Sequence, residues 1–437
     1  MRILVVGGGG REHAIVRALG RSQEATELLA APGNAGIAQD ARCLAVGAED
    51  VTGLVEASAS ESVDLVVVGP EAPLVAGLVD ALEAAGVPAF GPSADAARLE
   101  GSKAHAKTLM AEAGVATASH AILRSRDEAL AHLAHGDYPV VLKADGLAAG
   151  KGVIICADEA DARSAIEAFF VERRFGATEV VAEEYLEGDE LSLLAICDGE
   201  SVVALAPAQD FKRIGDGDVG PNTGGMGSYS PVPGIDPTRA EAIVDDVHRP
   251  IVDLLRRSGT TYRGVLYAGL MMTPAGPRVL EFNCRFGDPE TQAVLPRLRS
   301  DLVELCMRSR EPGGLENVEA QFSADWAVTV VLASAGYPAS SSKDDVISGL
   351  PDAAAVEGVE VTHAGTARRG DDIVTAGGRV LNVTGIGATA DEARGRAYAA
   401  AAMISFEGKQ MRSDIAQRAV EAAGQEPIEP VKEEAWS

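Results

Sequence analysis

The sequence has few or no signs of three common features of proteins: a cysteine framework, a transmembrane helix and a signal peptide. The five cysteines are odd in number and scattered, with no CxxC or clustered Cys/His pattern. That pattern is typical of free thiols in a reducing compartment, and it argues against a disulfide framework or a zinc site. No apolar run approaches the length of a transmembrane helix, and the run after Met1 is too short for a signal peptide. We therefore expect a cytoplasmic protein.

Positive charge is also scarce, with 38 Lys and Arg against 65 Asp and Glu and a net charge of −27. Such a chain repels phosphate-coated partners, so we expect neither nucleic acid nor a membrane surface as its partner. Any phosphate ligand must therefore be held by a local cluster of Lys, Arg and backbone N–H groups. The composition, 46% hydrophobic and 24% charged, is globular. The length of 437 residues predicts about three domains.

The order of apolar runs predicts an α/β fold. In residues 1 to about 100, strand patterns such as RILVVG and VDLVVVGP alternate with helical patterns. Runs that are apolar throughout indicate strands covered on both faces, hence a parallel sheet, and in open parallel sheets ligands bind beyond the carboxyl ends of the strands. A Ser-capped helical segment follows from Ser93 to Gly114. The polar segment 312–325 is a plausible linker to a third, smaller unit.

The segment KADGLAAGKG places two lysines and three glycines between two apolar strands. Glycines let a backbone approach a ligand closely, and the lysines Lys143 and Lys151 suit phosphate oxygens, so the segment reads as a clamp on a polyphosphate. A standard P-loop is excluded, because three residues separate Gly146 from Gly150 and Gly152 stands where Ser or Thr belongs. An ordinary flexible hairpin is the alternative.

The N-terminal GGGGREH motif joins a strand to a helix, and such a junction presents free N–H groups to an anion. The dinucleotide fingerprint GxGxxG fails, because Glu12 or His13 takes the place of the third glycine. A single phosphate therefore fits better than NAD. A glycine turn kept only for tight packing is the alternative, and we expect His13 on the helix face without a catalytic role.

The segment VLEFNCRFGDPE predicts a strand with one face of polar and charged side chains. Alternate residues of a strand share a face, so Glu281, Asn283 and Arg285 lie side by side. A carboxylate and an amide oxygen suit Mg²⁺ carried by a nucleotide, and an arginine can hold a carboxylate in a bidentate fork. A solvated edge strand is the alternative. The opposite face, expected to meet the core, carries Leu280, Phe282, Cys284 and Phe286.

Two further segments are polar connections. Residues 209–231 contain six glycines and too few apolar residues to bury themselves, so their composition predicts a loop, which at this length is functional or disordered. Lys212 and Arg213 give this segment cationic groups, and TGGMG offers N–H donors. The segment EEYLEGDELS joins two strands, where backbone groups near Glu184 and Leu186 can read adenine and Glu190 can accept from ribose hydroxyls.

Taken in order, these motifs resemble the glycinamide ribonucleotide synthetase (phosphoribosylamine–glycine ligase) family of the ATP-grasp superfamily, nearly end to end. KRIGDGD…GPNTGGMG and EFNCRFGDPETQ are highly specific to that family, and GGRVLNVTG is characteristic of its C-terminal domain. The resemblance implies that ATP, glycine and 5-phospho-β-D-ribosylamine give glycinamide ribonucleotide, ADP and phosphate through glycyl phosphate, a step of purine biosynthesis. The implied architecture is an N-terminal doubly wound domain (1–102), an ATP-grasp core (103–312, mobile lid about 123–190), an α+β C-terminal domain (326–423) and a loose tail (424–437).

The resemblance also assigns roles to individual residues. The catalytic residues are Arg285, Lys143 and Lys151. The residues implied to bind ATP, the co-substrate, are Lys103, Lys143, Ala148, Gly150, Lys151, Gly152, Glu183, Glu184, Leu186 and Glu190. The implied ligands of Mg²⁺ or Mn²⁺ are Glu281 and Asn283. The residues implied to bind the other substrates are Gly9, Gly10, Arg11, Asn34, Glu71, Lys212, Gly224, Gly225, Arg285, Gly287 and Asp288.

Two positions depart from the expected pattern. Many ATP-grasp enzymes carry an acidic metal ligand on the strand before EFN, where this chain has Ala268 and Gly269. Phe211 stands where His or Tyr is frequent in the family, so only a packing role is left for that ring. We expect a monomer that acts on small molecules alone.

Three other functions compete with this reading. A purine-pathway carboxylase that uses bicarbonate would share the ATP-grasp core, but it would not explain GPNTGGMG or GGRVLNVTG. A nicotinamide oxidoreductase predicts a third glycine and a ribose-binding acid after the second strand, where this chain has Pro-Gly-Asn. A catalytically inactive nucleotide sensor is excluded only by an assay.

Overall fold

The N-terminal part of the chain forms a five-stranded parallel sheet with the strand order β3-β2-β1-β4-β5. The structure is a computed structural model that describes residues 1–134, 136–147, 152–176 and 179–423. The strands are β1 (Arg2–Gly7), β2 (Glu27–Pro32), β3 (Arg42–Cys43), β4 (Leu65–Val68) and β5 (Ala89–Phe90). The helices around them are α1 (Gly10–Leu19), α2 (Ile37–Asp40), α3 (Val51–Ser60), α4 (Glu71–Val75) and α5 (Leu78–Ala84).

The strand order reverses at β1, which has β2 on one side and β4 on the other. The loops after β1 and β4 therefore diverge and leave a crevice at the carboxyl edge of the sheet, where ligands bind in doubly wound folds. Each strand is apolar along its length because both faces are covered, and β1 is buried from Ile3 to Val6. The predicted doubly wound sheet is confirmed.

The predicted helical segment from Ser93 to Gly114 is two helices, α6 (Ala94–Gly101) and α7 (Lys103–Ala113). Ser102 stands between them in an extended conformation, and its side chain accepts a hydrogen bond from the N–H of His105. A serine that caps a new helix stops the preceding one, because its backbone leaves the helical region. Gly114 closes α7 at φ 71°, as the sequence predicts.

The next region is a four-stranded antiparallel sheet with two helices on it, ordered β6-β9-β7-β8. The chain enters it at β6 (His120–Leu123) and leaves it at β9 (Val180–Glu184), so it lies inside the predicted lid. A separate apolar cluster that includes Leu142 and Phe169 holds it together. The other elements are β7 (Val140–Ala144), β8 (Val153–Cys156), α8 (Arg126–Leu133), α9 (Glu159–Ile166) and a π-helical turn (Glu167–Val171).

A second antiparallel sheet carries the motif around Glu281 and has the order β11-β10-β16-β17. These strands are β10 (Asp189–Asp198), β11 (Val202–Ala204), β16 (Arg263–Thr273) and β17 (Gly276–Asn283). Phe282, Cys284 and Phe286 are buried as predicted, but the pairing of β16 with β17 skips Leu280. The prediction that Leu280 faces the core is therefore wrong, because the bulge turns this half-buried residue toward a cavity.

The glycine-rich segment 209–231 is not the loop that its composition predicts. It contains β12 (Gln209–Asp210), β13 (Arg213–Gly215), β14 (Val219–Asn222) and β15 (Gly227–Ser230). β13 and β14 form a hairpin, while β12 and β15 join the C-terminal sheet. The segment is ordered by pairing with distant strands, which local composition does not reveal. Helices then follow: α10 (Pro237–Ile243), a π-helical turn (Val244–His248), α11 (Arg249–Arg257), α12 (Glu290–Val294), a 3-10 turn (Leu295–Arg297) and α13 (Leu302–Arg308).

The C-terminal sheet is antiparallel, with the order β12-β15-β18-β22-β19. Because two of its strands come from 209–230, its boundary does not coincide with the linker at 312–325. The other C-terminal elements are β18 (Trp326–Ala333), β19 (Val359–His363), β20 (Thr366–Arg369), β21 (Asp372–Thr375), β22 (Arg379–Gly387), α14 (Leu350–Ala354), α15 (Ala390–Met403) and α16 (Gln417–Ala423). Within the described residues, no helix is long and apolar enough to cross a bilayer.

Candidate active site

One cavity of about 860 Å³ opens where the three regions meet. Arg11 and Glu71 reach it from the first turns of α1 and α4, at the carboxyl edge of the parallel sheet. Lys143 comes from the lid sheet, Glu281 from β17, and Arg379 from the first residue of β22. Side chains that are hundreds of residues apart in the chain therefore share one solvent-filled space.

Arg285 stands at the centre of this cavity among acidic groups. Its guanidinium lies 3.2 Å from Glu71 Oε2 and 3.1 Å from Glu100 Oε1, and it donates to Asn283 Oδ1 over 3.1 Å. Burial raises the pKa of Glu71, but Arg285 and Arg11 outweigh it and hold that pKa at about 2. Burial raises the pKa of Glu100. Arg285 is thus oriented from two sides and keeps its charge inside the cavity.

The carboxylate of Glu281 faces three cations. Burial by itself would raise its pKa, but Lys212, Lys143 and Lys103 lower it, so the group is ionised. Asn283 follows on the same face of β17, and both side chains line the cavity, as their spacing predicts. An ionised carboxylate next to an amide oxygen fits a divalent ion held jointly with phosphate oxygens. Among the described residues, no group of three or more His, Cys, Asp or Glu is arranged to hold a metal ion.

Among the predicted ATP-binding lysines, Lys103 and Lys143 lie within the described residues, and their surroundings differ. Lys103 Nζ donates to the carbonyl of Gly146 over 3.0 Å, at the start of the glycine-rich turn. Lys143 Nζ donates to the carbonyl of Leu280 over 2.9 Å and pairs with Glu183 over 3.0 Å. The other oxygen of Glu183 pairs with Lys107, which sequence reasoning missed. The signal for it was its position four residues after Lys103, on the same face of a helix.

The predicted nucleotide-binding connection lies along the same wall. Glu184, Leu186, Glu190 and Gly152 line the cavity, as does the exposed ring of Tyr185. The Glu184 side chain accepts a hydrogen bond from the N–H of Ser119 and pairs with Arg278. These contacts engage its carboxylate with protein groups, so it supports the connection between the two strands. Glu190 pairs with Lys212 over 2.7 Å. The predicted residues Ala148, Gly150 and Lys151 lie outside the described residues.

A cluster of carboxylates beside Lys212 was also missed. Glu290 is buried and accepts from Tyr267 over 2.7 Å and from Ser192 over 3.2 Å. Asp210 accepts from the same serine, and burial raises the pKa of Asp210 to about 8, with Glu290 adding to the effect and Lys212 opposing it. No sequence pattern marks the cluster, because its members come from four separate strands and helices. It brings two carboxyl groups, those of Asp210 and Glu290, to this wall of the cavity beside Lys212.

The N-terminal glycines make close packing contacts, as the alternative interpretation expects, and their part in binding a substrate stays a prediction. Gly9, Gly10 and Asn34 are not among the described residues that line the cavity. The N–H of Gly9 donates to the buried carboxylate of Glu12, and a Cβ on Gly10 would lie 2.0 Å from Asn382 Nδ2. Asn34 donates to the carbonyls of Gly8 and His363 and accepts from the N–H groups of Gly36 and Ile37. Of this motif, Arg11 alone lines the cavity.

An arginine that sequence reasoning missed connects two predicted substrate-binding turns, residues 287–289 and residues 223–225. Arg379 donates to the carbonyl of Gly224 and pairs with Asp288, and all three line the cavity. Gly225 and Gly287 are not among the described lining residues. A Cβ on Gly225 would lie 2.5 Å from Pro289, so this glycine permits close packing. Arg379 brings a second cation to the Arg11 side of the cavity.

His13 joins the parallel-sheet region to the C-terminal sheet. It is fully buried, and its Nδ1 accepts from the backbone N–H of His363 over 2.8 Å. Its Nε2 lies 2.9 Å from Asp40 Oδ2. Because Nδ1 accepts, Nε2 carries the proton and donates to Asp40. The prediction that His13 lacks a catalytic role agrees with this structural contact.

Three comparisons with known proteins agree with this arrangement. Residues 1–100 match the phosphoribosylglycinamide synthetase N domain, residues 101–291 its ATP-grasp (A) domain and residues 327–418 its C domain. Phosphoribosylamine–glycine ligase of Streptomyces coelicolor is 51% identical over 425 residues, 97% of this chain and 100% of that protein. The chain belongs to the phosphoribosylglycinamide synthetase family. The corresponding ligase of Rhizobium meliloti is 47% identical over 96% of this chain and 99% of that protein.

Solved structures extend the likeness to the fold of the phosphoribosylglycinamide synthetase family. The crystal structure of phosphoribosylamine–glycine ligase from Thermotoga maritima superimposes with a TM-score of 0.83 at 34% identity, covering 95% of this chain and 100% of that one. An ADP complex of N5-carboxyaminoimidazole ribonucleotide synthetase superimposes with a TM-score of 0.63 at 16% identity, covering 92% and 96%. At that identity the second likeness shows a common fold alone. The fold class and the family expected from the sequence are both confirmed.

Proposed function

We propose that this chain joins glycine to 5-phospho-β-D-ribosylamine with cleavage of ATP, as the name phosphoribosylamine–glycine ligase states for its relatives. The observation that carries the proposal is one cavity lined by Lys103, Lys143, Glu281 and Arg285, with Arg379 on its far side. The first four groups suit a nucleotide triphosphate and the carboxylate that it activates. The last suits the phosphate of the second substrate.

A carboxylate is a poor acyl donor, so the first step transfers the γ-phosphoryl group of ATP to a glycine carboxylate oxygen and releases ADP. Such transfers depend mainly on positioning and on neutralising charge. Lys143 and Lys103 bind the phosphates from the lid side, and Arg285 holds the glycine carboxylate in line. The ring of Tyr185 and the backbone at Leu186 hold the adenine.

In the second step the amine of the ribosylamine attacks the carbonyl carbon of glycyl phosphate. A C–N bond forms, the C–O bond to phosphate breaks, and the amine loses a proton. Arg285 stabilises the negative charge that develops on the carbonyl oxygen, because its guanidinium is already oriented by Glu71 and Glu100. Arg11 and Arg379 bind the ribose phosphate. The route needs no nucleophilic Ser or Cys, and all five cysteines are free thiols.

The divalent ion belongs with the ATP phosphates, and Glu281 and Asn283 are the residues of this chain that would hold it. When bound, such an ion neutralises charge on the transferred phosphoryl group. We infer Mg²⁺ or Mn²⁺, since the two side chains offer oxygen ligands alone. The carboxyl oxygens of Asp210 and Glu290, which line the cavity, can accept hydrogen bonds from the ammonium group of glycine.

We further propose that the enzyme acts in the cytoplasm, as a monomer, on small molecules alone. The five free thiols fit a reducing compartment. The net charge of −27 disfavours nucleic acid and anionic membrane surfaces as partners. Each substrate-binding group named above comes from a single chain, so one copy suffices to build the site.

The test is an isotope-transfer assay with purified protein, ATP, Mg²⁺, freshly generated ribosylamine and glycine labelled with ¹⁸O in its carboxylate. We expect one ¹⁸O atom in the released phosphate, read by ³¹P NMR and mass spectrometry, because the carboxylate oxygen becomes the bridging oxygen of the acyl phosphate. ADP release must require both glycine and the ribosylamine.

The matched control replaces glycine with bicarbonate under the same conditions. ADP release that follows bicarbonate and ignores glycine would reject the proposal in favour of a carboxylase. Tight nucleotide binding without any ADP release under either condition would instead identify a nucleotide sensor.

A further inference from the structure

We infer that Lys107 is a positioning residue, whose charge keeps Lys143 available to the ATP phosphates by sharing the carboxylate of Glu183. This inference deepens the proposed function, because it assigns to α7 a residue that controls the affinity of the nucleotide site. Neither the sequence motifs nor the names of the relatives assign Lys107 a role. Its basis is the arrangement of three buried ionisable side chains beside the cavity.

The three side chains form a chain of contacts. Lys107 Nζ lies 3.1 Å from Glu183 Oε1, and Lys143 Nζ lies 3.0 Å from Glu183 Oε2. The side chains of Lys107 and Glu183 are each 2% exposed, and that of Lys143 is 8% exposed. Lys107 also donates to Thr117 Oγ1 over 2.7 Å, and Lys143 donates to the Leu280 carbonyl over 2.9 Å. Within the described residues Glu183 Oε1 accepts no hydrogen bond, so its contact with Lys107 is an ion pair without a hydrogen bond.

The charges of the group explain why two lysines are present. A buried pair of one carboxylate and one lysine is neutral, and such a pair has little attraction for a phosphate. With Lys107 the group carries one positive charge in excess, and it lines the cavity through both lysines. Burial lowers the pKa of Lys107 to about 8 and Lys143 adds to this effect, while Glu183 and Glu184 oppose it. Lys107 is thus mostly protonated at neutral pH.

A lone Glu183 carboxylate would also hold Lys143 more tightly. In the present arrangement its two oxygens are divided between two ammonium groups. Removal of Lys107 leaves a buried carboxylate oxygen that has lost its cation, and Lys143 becomes the sole partner of that charge. The nucleotide must then compete with Glu183 for Lys143. The expected consequence is weaker binding of phosphates, with the adenosine part unaffected.

The experiment measures nucleotide affinity directly, by calorimetry with ADP and with adenosine, in the absence of glycine and ribosylamine. We expect Lys107→Met to raise the Kd of ADP about tenfold or more, since one charge-assisted contact is at stake, and to leave that of adenosine nearly unchanged. Lys409→Met is the matched control. Lys409 also donates to buried backbone carbonyls, of Ala401 and Ile404, but lies away from the cavity.

The decisive variant is Lys107→Met combined with Glu183→Gln. It removes one positive and one negative charge together, so Lys143 keeps its excess charge without a competing carboxylate. We expect its Kd for ADP to return to within about threefold of the wild-type value. If Lys107 only supported the fold, or contacted the phosphate itself, the result would be the opposite. The double variant would then lose at least as much ADP affinity as the single variant.

That opposite result would overturn the inference, and so would a Lys107→Met variant that loses adenosine and ADP affinity equally. If Lys107→Met does not fold, the double variant decides alone, because its ADP affinity is expected near wild type. The measurement uses no ligase turnover. If the proposed ligase reaction were disproved, the inference about Lys107 and ADP binding would not be affected. If the binding measurements contradicted the role of Lys107, the proposed reaction would not be affected.

Discussion

Arg379 Nη2 donates to Asp288 Oδ2 over 2.8 Å, and its Nη1 donates to the backbone carbonyl of the same residue over 2.7 Å. The two residues are 91 positions apart, and the contact ties the first residue of β22 to the turn that follows β17. Because Arg379 also donates to Gly224, one guanidinium holds both turns and faces the cavity. This relationship makes the C-terminal sheet part of the site.

We expect Arg379→Gln to raise the KM for the ribosylamine about tenfold or more, since a charge-assisted contact to phosphate is lost. The KM for ATP should change far less, because Arg379 contacts Gly224 and Asp288 and neither of the predicted ATP-binding lysines Lys103 and Lys143. Steady-state kinetics with each substrate varied in turn measure the difference. Arg369→Gln, an exposed arginine of the same sheet region, is the control. Equal effects of Arg379→Gln on both KM values would contradict the assignment.

Arg285→Ala should lower kcat by about a hundredfold or more, because a preorganised donor to the developing charge is removed. Arg285→Lys should restore little, since an ammonium cannot contact Glu71, Glu100 and Asn283 in the fork geometry that the guanidinium provides. The measurement is kcat at saturating substrates, with thermal melting as a check on folding. A fully active Arg285→Lys enzyme would show that charge alone matters.

Glu281→Gln should raise the Mg²⁺ concentration needed for half-maximal rate, because an anionic oxygen ligand becomes neutral. In the absence of metal the same variant should bind ADP no more weakly than wild type, since a negative charge has left the phosphate site. Titrations of activity against Mg²⁺, and of ADP binding in EDTA, test the two halves separately. Weaker binding of ADP in EDTA would assign Glu281 to the nucleotide rather than to the ion.

Gly10→Ala should destabilise the protein by about 1–3 kcal/mol, the usual effect of forcing an atom into a packed site. A Cβ there would lie 2.0 Å from Asn382 Nδ2 and 2.9 Å from Gln292 Nε2, so either these buried side chains or α1 must shift. Gly47→Ala, where a Cβ meets nothing within 4 Å, is the matched control. Denaturant unfolding of both variants measures the difference, and equal stabilities would refute the packing role.

The contact between His13 and Asp40 should make the stability of the fold depend on pH in the acid range. The hydrogen bond from His13 lowers the pKa of Asp40 to about 2, burial opposes it, and Arg17 adds to the lowering. A depressed folded-state pKa contributes stability that is complete above the unfolded value of about 4 and is lost as pH falls from 4 to 2. Asp40→Asn should flatten the stability curve in that window. Asp371→Asn, on an exposed turn, should leave the curve unchanged.

Local pattern was enough wherever short-range physics decides. RILVVG and ELLAAP coincide with β1 and β2, because strands covered on both faces must be apolar throughout. The alternation in EFNCRF placed Glu281, Asn283 and Arg285 in the cavity for the same reason, since successive strand side chains point to opposite faces. The single misplaced residue of that strand, Leu280, lies at a bulge that no spacing rule predicts.

Long-range pairing decided the rest. Residues 209–231 have the composition of a loop, yet four short strands form there because distant β18 and the hairpin partner supply their hydrogen bonds. Lys107 and Glu100 received no role from the sequence, and Arg379 was read only as part of the domain motif GGRVLNVTG. The importance of all three comes from what they contact. Gly9, Gly10 and Asn34 lie against Glu12, Asn382 and His363, which are contacts that their motifs do not predict, while their part in substrate binding stays a prediction.

The amino-acid sequence by itself determined the parallel sheet, the family and the polar face of β17, because each depends on the order and period of neighbouring residues. Only the tertiary structure decided which charges neutralise one another. Lys143 shares a carboxylate with Lys107, and Arg285 lies between Glu71 and Glu100, through contacts of about 3 Å that form only after distant segments pack. Electrostatic interaction depends on distance in space and on burial, and neither can be read from position along the chain.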